Sequence, residues 1–170
     1  MTAVRAGLVT VSTRGAARER ADESGPAMRD ALTAAGHEVV SSTLVPDDVA
    51  KVANAILDAV RAGANVVLTS GGTGLSPNDV TPEATRRVID REVPGIAEAL
   101  RAGSLAKTPH AMLSRGVAGA VGASLVVNLP GSPRAVRESL EILLPVLAHA
   151  VELLAGESGE SGHARGRSPA

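Results

Sequence analysis

The stretch TSGGTGLSPNDVTPEAT, residues 69–85, decides the fold, because it joins a strand end, a glycine loop and a helix start. The apolar run 65–68 ahead of it predicts a short buried strand. Three glycines within Gly71–Gly74 permit a sharp turn, a close approach to a ligand and backbone N–H groups directed at an anion. Thr81 is predicted to cap the next helix, with Pro82 in its first turn. The stretch is typical of a phosphate cradle in an α/β protein.

Outward from this stretch, predicted strands and helices alternate along the chain. That alternation predicts a three-layer α/β/α fold with a mostly parallel central sheet and a small antiparallel strand pair. In the N-terminal half the predicted elements are strand 6–12, polar loop 13–24, helix 26–35, strand 37–45 and a helix that begins around Pro46 and ends at Gly63. In the C-terminal half they are helix 81–91, a helix that follows Pro94-Gly95 and ends at about Ala106, the antiparallel pair 114–120 and 123–129, and helix 135–154 with a kink at Pro145. The Gly/Ser/Glu/Arg-rich segment 156–170 is predicted to be a disordered tail.

The composition of the 170-residue chain excludes several classes of function. There is no Phe, Tyr or Trp for base stacking and the net charge is −1, so nucleic-acid binding is disfavoured. There is no Cys for a disulfide or a thiolate metal site, and the four histidines share no metal-ligand spacing. No apolar run reaches membrane-spanning length and no signal peptide is visible, so no membrane association and a cytoplasmic location are expected.

Three segments that carry possible ligand contacts follow predicted strands. They are Asp47, the Gly71–Gly74 loop and the loop 128–133, and in a parallel sheet such segments meet at the carboxyl edge, where ligands bind. If Asp47 and Asp79 meet there, their carboxylates suit Mg²⁺ held against substrate phosphates. Each residue also has a simpler explanation: Asp47 or Asp48 can cap a helix, Asp79 can shape a turn, and the glycines can form a bare turn.

Other polar residues remain open between structural and binding roles. Arg115, beside Ser114, can either fork onto a phosphate or lie solvated at the surface. Ser104 and Lys107 are, taken alone, more typical of structural residues. The chain has no Walker A pattern, no dinucleotide-binding glycine pattern and no Gly-x-Ser-x-Gly elbow, which excludes the standard forms of those sites.

Four motifs resemble the molybdenum-cofactor biosynthesis family, which includes the molybdopterin adenylyltransferases and the G domain of gephyrin. The motifs are SGGTG (70–74), DVTPEAT (79–85), PHAMLSR (109–115) and NLPGSP (128–133). The similarity runs from about Ala3 to Leu154 in the same order and spacing. It implies one molybdopterin-binding domain over residues 1–155.

The resemblance implies an enzyme that transfers AMP from Mg-ATP to the terminal phosphate of molybdopterin and releases pyrophosphate. It implies a homotrimer and a hand-over of the product to a molybdate-insertion enzyme. The essential acids of the family fall on Asp47 and Asp79, which it also implies as the Mg²⁺ ligands. Its molybdopterin-side residues look like Ser104, Ser114 and Arg115. Its nucleotide-side residues correspond to Gly71, Gly72, Thr73, Gly74, Pro130 and Gly131.

One position departs from the family pattern: Thr13 stands where relatives often carry Asp. His110 lies where relatives vary and receives no role. The alternative function is a non-catalytic molybdopterin-binding or scaffold protein of the same fold, which would need the serines and glycines but not the two acids. A domain of the related molybdate-insertion or competence-damage proteins is a third interpretation, which the short chain disfavours.

Overall fold

The structure is a computed structural model that describes residues 3–156. The predicted disordered tail therefore lies outside the described residues, apart from Gly156. Within the described part, six strands form one sheet: β1 (Arg5–Val11), β2 (Glu38–Val45), β3 (Val66–Ser70), β4 (Arg91–Glu92), β5 (Ala118–Val121) and β6 (Ser124–Leu129). Their order is β2-β1-β3-β6-β5-β4; the first four are parallel to one another, β5 is antiparallel to β6, and β4 is antiparallel to β5. The predicted mostly parallel sheet and the antiparallel pair are confirmed.

Helices cover both faces of this sheet. They are α1 (Thr13–Ala16), α2 (Ser24–Ala34), α3 (Val49–Arg61), α4 (Thr81–Arg86), α5 (Pro94–Leu105) and α6 (Pro133–Leu154), with a 3-10 helix over Pro109–Leu113. The core on one face joins the sheet to α2, α5 and α6, and the core on the other face joins it to α3 and α4. The fold is therefore a three-layer α/β/α sandwich, as predicted. None of the helices in residues 3–156 is both long enough and apolar enough to cross a membrane.

Strand β3 shows how the two cores are built. Side chains alternate across a strand, so Val66 and Leu68 enter one core while Val67 enters the other. All five residues of β3 are buried, as expected for a central parallel strand covered on both faces. Aliphatic side chains and Met28 fill both cores without any aromatic ring. The glycine loop thus leaves the sheet from a rigid central strand.

The predicted helix over 81–91 is wrong in its second half. Helix α4 ends at Arg86, and Arg91–Glu92 form the edge strand β4 instead. Asp90 N–H donates to the carbonyl oxygen of Ala120 at 2.7 Å, and Val93 N–H donates to that of Ala118 at 2.8 Å. Pairing with β5 therefore overrides the local helical pattern.

Several other boundaries differ from the prediction. The loop over 13–24 contains the short helix α1, and α2 begins at Ser24, two residues earlier than expected. The strand predicted over 114–120 is shorter, since β5 begins at Ala118. Helix α6 begins at Pro133 because the Ser132 hydroxyl caps it by accepting from Ala135 N–H, and it continues through Pro145 to Leu154.

Candidate active site

A polar cleft of about 830 Å³ opens at the carboxyl ends of β1, β2 and β3. The three segments that the sequence predicted to meet at this edge all contribute to it: Asp47 after β2, Gly71 and Gly72 after β3, and Gly131 after β6. Asp79 lines the same cleft. We call it the first cleft.

The glycine loop has a conformation that other residues rarely adopt. Gly71 has φ of +96° and Gly72 has φ of +64°. A Cβ atom on Gly71 would collide with the carbonyl oxygen of Val11, and one on Gly72 would lie 2.5 Å from Thr81 Oγ1. The backbone therefore passes close to both β1 and α4, which leaves no room for a side chain at either position.

Thr81 fixes this loop rather than capping α4. Its hydroxyl donates to the carbonyl oxygen of Gly71 at 2.8 Å, and its N–H donates to that of Gly72 at 3.0 Å. The N-cap position belongs to Val80, which makes no side-chain cap, so the predicted capping role of Thr81 is wrong. Since Thr81 is fully buried, these bonds are shielded from water and hold the loop against the start of the helix.

Asp48 caps helix α3, whereas the neighbouring Asp47 makes different contacts. The Asp48 carboxylate accepts from Lys51 N–H at 2.8 Å. Asp47 Oδ2 accepts instead from the N–H and the hydroxyl of Thr13, at 2.8 and 2.7 Å. Asp47 Oδ1 accepts no hydrogen bond from the residues described and would lie 3.2 Å from a Cβ atom on Gly72. One carboxylate oxygen is thus anchored and the other lies beside the glycine loop.

Asp79 shows a similar division of its two oxygens. Its Oδ2 accepts from Ser76 N–H at 3.0 Å and its own N–H donates to the Ser76 carbonyl at 2.9 Å, so it does shape a turn, as its simpler explanation held. Its Oδ2 would also lie 2.8 Å from a Cβ atom on Gly74. Within residues 3–156, Asp79 Oδ1 accepts no hydrogen bond. The turn therefore leaves one carboxylate oxygen available in the cleft.

These two acids fit the donor set that Mg²⁺ uses with a nucleotide. Magnesium is bound in such sites by one or two carboxylates, with waters and substrate phosphates completing its coordination. Asp47 and Asp79 each keep one carboxylate oxygen that accepts no hydrogen bond from the described residues, and that of Asp47 lies beside Gly72. The described residues contain no cluster of three or more His, Cys, Asp or Glu side chains able to hold a metal by themselves. Any Mg²⁺ at this place would thus need further ligands from water or from a substrate.

The first cleft also contains cations that sequence reasoning missed. Arg14 and Arg20 both line it, and neither forms an ion pair within the described part of the chain. Asp22 lines it too, with its carboxylate accepting from Thr10 Oγ1 and Gly25 N–H. Unpaired guanidinium groups beside a glycine loop suit a phosphorylated ligand. The signal in the sequence was the charged segment between β1 and α2, which the prediction treated only as a loop.

A second cavity of about 280 Å³ lies on the other side of the glycine loop. Ser104 of α5 and Ser114 line it, together with Thr73, Gly74 and Pro130. The surface of this cavity is mostly apolar, although the charged residues Arg101 and Glu138 also line it. We call it the second cavity. Lys107 does not line it and forms an ion pair with Glu138 at 3.3 Å, in line with a structural role.

The predicted nucleotide-side residues are therefore divided between the two spaces. Gly71, Gly72 and Gly131 line the first cleft, whereas Thr73, Gly74 and Pro130 line the second cavity. Each of the two loops contributes neighbouring residues to both spaces. The glycine loop and the 130–131 loop thus form a wall that the first cleft and the second cavity share.

Arg115 binds the glycine loop. Its Nε donates to the Gly74 carbonyl at 2.7 Å, its NH2 group donates to the Asp79 carbonyl at 2.6 Å, and its NH1 group pairs with Glu83. Its backbone N–H donates to the carbonyl of Thr73 at 2.8 Å. Arg115 does not line the second cavity, so the structure does not bring its side chain together with Ser104 and Ser114 there. The contact with molybdopterin expected of Arg115 stays a prediction.

The fold and the site define an α/β protein with two adjoining binding spaces at the carboxyl edge of a mostly parallel sheet. The chain belongs to the MoCF_biosynth family, described as "Probable molybdopterin binding domain", which matches residues 7–149. The family resemblance carried by the four sequence motifs is thereby confirmed.

Curated relatives carry names from the same pathway. The chain is 39% identical over 144 residues to the Escherichia coli K12 "Molybdopterin adenylyltransferase", with 83% of this chain and 74% of that protein covered. It is 40% identical over 153 residues to the Synechococcus elongatus "Molybdenum cofactor biosynthesis bifunctional protein", with 90% of this chain covered. The chain spans 48% of the length of that cyanobacterial relative.

Solved structures share the fold along nearly the whole described chain. The molybdopterin biosynthesis enzyme MoaB of Thermus thermophilus is 51% identical, covers 90% of this chain and 97% of its own, and has a TM-score of 0.84. The molybdopterin biosynthesis Mog protein of Mycobacterium ulcerans is 44% identical, covers 92% of this chain and 99% of its own, and also has a TM-score of 0.84. The three-layer architecture is therefore that of the MoaB and Mog proteins.

Proposed function

We propose that the protein is a molybdopterin adenylyltransferase that acts in molybdenum cofactor biosynthesis. The observation that carries the proposal is the wall of Gly71–Gly74 and Pro130-Gly131, which the polar first cleft shares with the more apolar second cavity. Two substrates held on opposite sides of one thin wall can meet at its edge, which gives the proximity that group transfer requires. The name of the Escherichia coli relative, molybdopterin adenylyltransferase, supports the same reaction.

In the proposed reaction, Mg-ATP occupies the first cleft and molybdopterin occupies the second cavity. An oxygen of the terminal phosphate of molybdopterin attacks the α-phosphorus of ATP, the bond from that phosphorus to the oxygen bridging to the β-phosphate breaks, and pyrophosphate leaves with the bonding electrons. The products are adenylylated molybdopterin and pyrophosphate. The chain needs only to position the phosphates and to stabilise their charge.

The residues of the first cleft supply that stabilisation. Gly71 and Gly72 let the triphosphate approach the backbone, and Arg14 and Arg20 add unpaired positive charge. Asp47 and Asp79 are the residues that would hold Mg²⁺, because each offers a carboxylate oxygen that accepts no hydrogen bond from the described residues. When bound with ATP, Mg²⁺ neutralises charge on the phosphates and on the leaving pyrophosphate.

The second cavity supplies the molybdopterin contacts in this proposal, with Ser104 and Ser114 as hydrogen-bonding groups. A homotrimer in the cytoplasm that passes its product to a molybdate-insertion enzyme completes the proposal, and it rests on the family resemblance.

The test is incubation of the protein with Mg-ATP and molybdopterin, followed by detection of pyrophosphate and adenylylated pterin. The wild type should form both products in equal amounts. Asp47→Asn should lower turnover by about two to three orders of magnitude, a loss typical of removing one preorganised electrostatic contact to a transition state. Molybdopterin affinity should be unchanged in this variant, because Asp47 does not line the second cavity.

Asp48→Asn is the matched control for that variant. It removes the neighbouring carboxylate, and asparagine caps helices as well as aspartate does, so α3 keeps its cap. Its turnover should equal that of the wild type. Binding of molybdopterin without any pyrophosphate release by the wild type would instead favour the non-catalytic scaffold function and overturn the proposal.

A further inference from the structure

The Ser139 hydroxyl is buried without any hydrogen-bond partner in the described residues. Ser139 lies in the second turn of α6 and is only 1% exposed. A serine inside a helix usually donates to the carbonyl oxygen four residues earlier, which here is that of Ala135, but this bond is not made. Leaving a buried polar group unpaired destabilises a protein, so such a group calls for an explanation.

Its position in the helix makes this hydroxyl more unusual. The buried face of α6 is a stripe of aliphatic residues, with Val136, Leu140 and Leu143 nearest to Ser139. Alanine at this position would pack equally well and would remove the unpaired group. A polar residue in the apolar stripe of an amphipathic helix is the one sequence signal that points to Ser139.

Ser139 lines the second cavity. Several other polar groups that line this cavity have partners among the described residues. Ser114 Oγ accepts from Gly116 N–H at 3.3 Å, and the side-chain amide of Asn128 donates to Thr69 and Thr85 while its oxygen accepts from Val117 N–H. Ser139 is the residue of this cavity whose side-chain oxygen is both buried and without a hydrogen-bond partner among residues 3–156.

We infer that Ser139 is a specificity-determining residue whose hydroxyl hydrogen-bonds the polar heterocycle that fills the second cavity. The inference rests on the proposed function, which puts the pterin of molybdopterin there. A pterin ring carries nitrogen and oxygen atoms at its edge, and the hydroxyl can donate to one or accept from another. A ligand without such an atom leaves the hydroxyl unpaired, so the site discriminates against purely apolar molecules of similar size.

The experiment is a calorimetric titration of wild type, Ser139→Ala and Ser41→Ala with molybdopterin, and separately with Mg-ATP. Ser41 is the matched control, because its hydroxyl is the other buried side-chain group without a partner in the described part, and it lies on β2 beside a different pocket. Ser139→Ala should bind molybdopterin about fivefold more weakly than wild type, the net value of one ordinary hydrogen bond. It should bind Mg-ATP as wild type does, since Ser139 does not line the first cleft.

Neither alanine variant should melt at a lower temperature than the wild type, because each loses a hydroxyl that has no hydrogen-bond partner among the described residues. Ser41→Ala should bind both ligands as the wild type does. Equal molybdopterin affinity in wild type and Ser139→Ala would overturn the inference and leave the proposed function standing. Failure of the wild type to bind molybdopterin would overturn both.

Discussion

Thr13 donates two hydrogen bonds to a single oxygen of Asp47, one from its backbone N–H at 2.8 Å and one from its hydroxyl at 2.7 Å. The same hydroxyl accepts from Asp47 N–H at 3.1 Å. This reciprocal pair connects a residue that follows the edge strand β2 to a residue that follows its neighbour β1. Thr13 thus orients the carboxylate of Asp47.

Thr13→Val removes the hydroxyl but keeps the shape of the side chain and the backbone donor. Asp47 then loses one of two donors to its carboxylate, and its N–H loses an acceptor, so we expect a stability loss of about 1 kcal/mol. Turnover should fall by about tenfold because the Asp47 carboxylate is less well oriented, while molybdopterin affinity stays constant. Steady-state assays of pyrophosphate release measure this. Thr43→Val, at an exposed position on β2, is the control, and unchanged turnover in Thr13→Val would refute the positioning role.

Gly72→Ala should reduce ATP affinity by about tenfold or more, because the added Cβ would lie 2.5 Å from Thr81 Oγ1 and 3.2 Å from Asp47 Oδ1. Alanine at the positive φ of this position also adds backbone strain of about 1 kcal/mol. Gly122→Ala is the control, since Gly122 has a similar φ of +54° but no atom within 4 Å of its Cβ position. Calorimetry with a non-hydrolysable ATP analogue measures the affinity of both variants. The comparison separates the effect of the Cβ contacts from the effect of backbone strain. Equal affinities in a folded Gly72→Ala and the wild type would mean that the loop is only a turn.

The general position of the site could be predicted from sequence because it depends on topology. Segments that follow parallel strands must meet at one edge of the sheet, and Asp47, Gly71 and Gly131 do so. Which of Asp47 and Asp48 caps α3 could not be predicted, because either side chain can accept from the helix N-terminus. Asp48 has an extended backbone, with φ of −137°, and its carboxylate caps α3. The carboxylate of Asp47 accepts from Thr13 instead.

The features that the sequence did not predict have a common physical origin in contacts between residues distant in sequence. The apolar residues Val88 and Ile89 continue a helical pattern after α4, but both belong to the core on the α3 side and the chain then pairs with β5. Arg115 donates hydrogen bonds to Gly74, which is 41 residues away in sequence, and to Asp79, which is 36 residues away. No local pattern contains such partners, so the prediction assigned Arg115 a contact with the substrate without its contacts with the loop.

Arg115→Lys tests these loop contacts, because lysine keeps the charge but cannot donate to the Gly74 and Asp79 carbonyls and Glu83 together. We expect a stability loss of about 2 kcal/mol, typical of a lost hydrogen bond from a charged group. Turnover should fall together with the affinity for both substrates, since the loop lines both the first cleft and the second cavity. Paired titrations with an ATP analogue and molybdopterin measure the two affinities.

Arg61→Lys is the control, because the side chain of Arg61 is 69% exposed. Loss of molybdopterin affinity alone would instead support a direct contact between Arg115 and that substrate.

Glu83 should make stability depend on acid pH. The hydrogen bond from Arg115 lowers the pKa of Glu83 below its ordinary value of 4.5, so folding favours the charged carboxylate. This contribution is complete above pH 4.5, which is the pKa expected in the unfolded chain, and it is lost as the pH falls through the lower pKa of the folded state. Glu83→Gln should therefore be less stable than wild type at pH 7, by less than about 1 kcal/mol because the carboxylate is 45% exposed. The difference in stability between the variant and the wild type should shrink at about pH 3.5, below the ordinary carboxyl pKa.

Urea unfolding at both pH values measures this difference in stability. Glu98→Gln, at an exposed position without an ion pair in residues 3–156, is the control. A difference that is the same at both pH values would show that Glu83 stabilises the fold through packing and not through its charge.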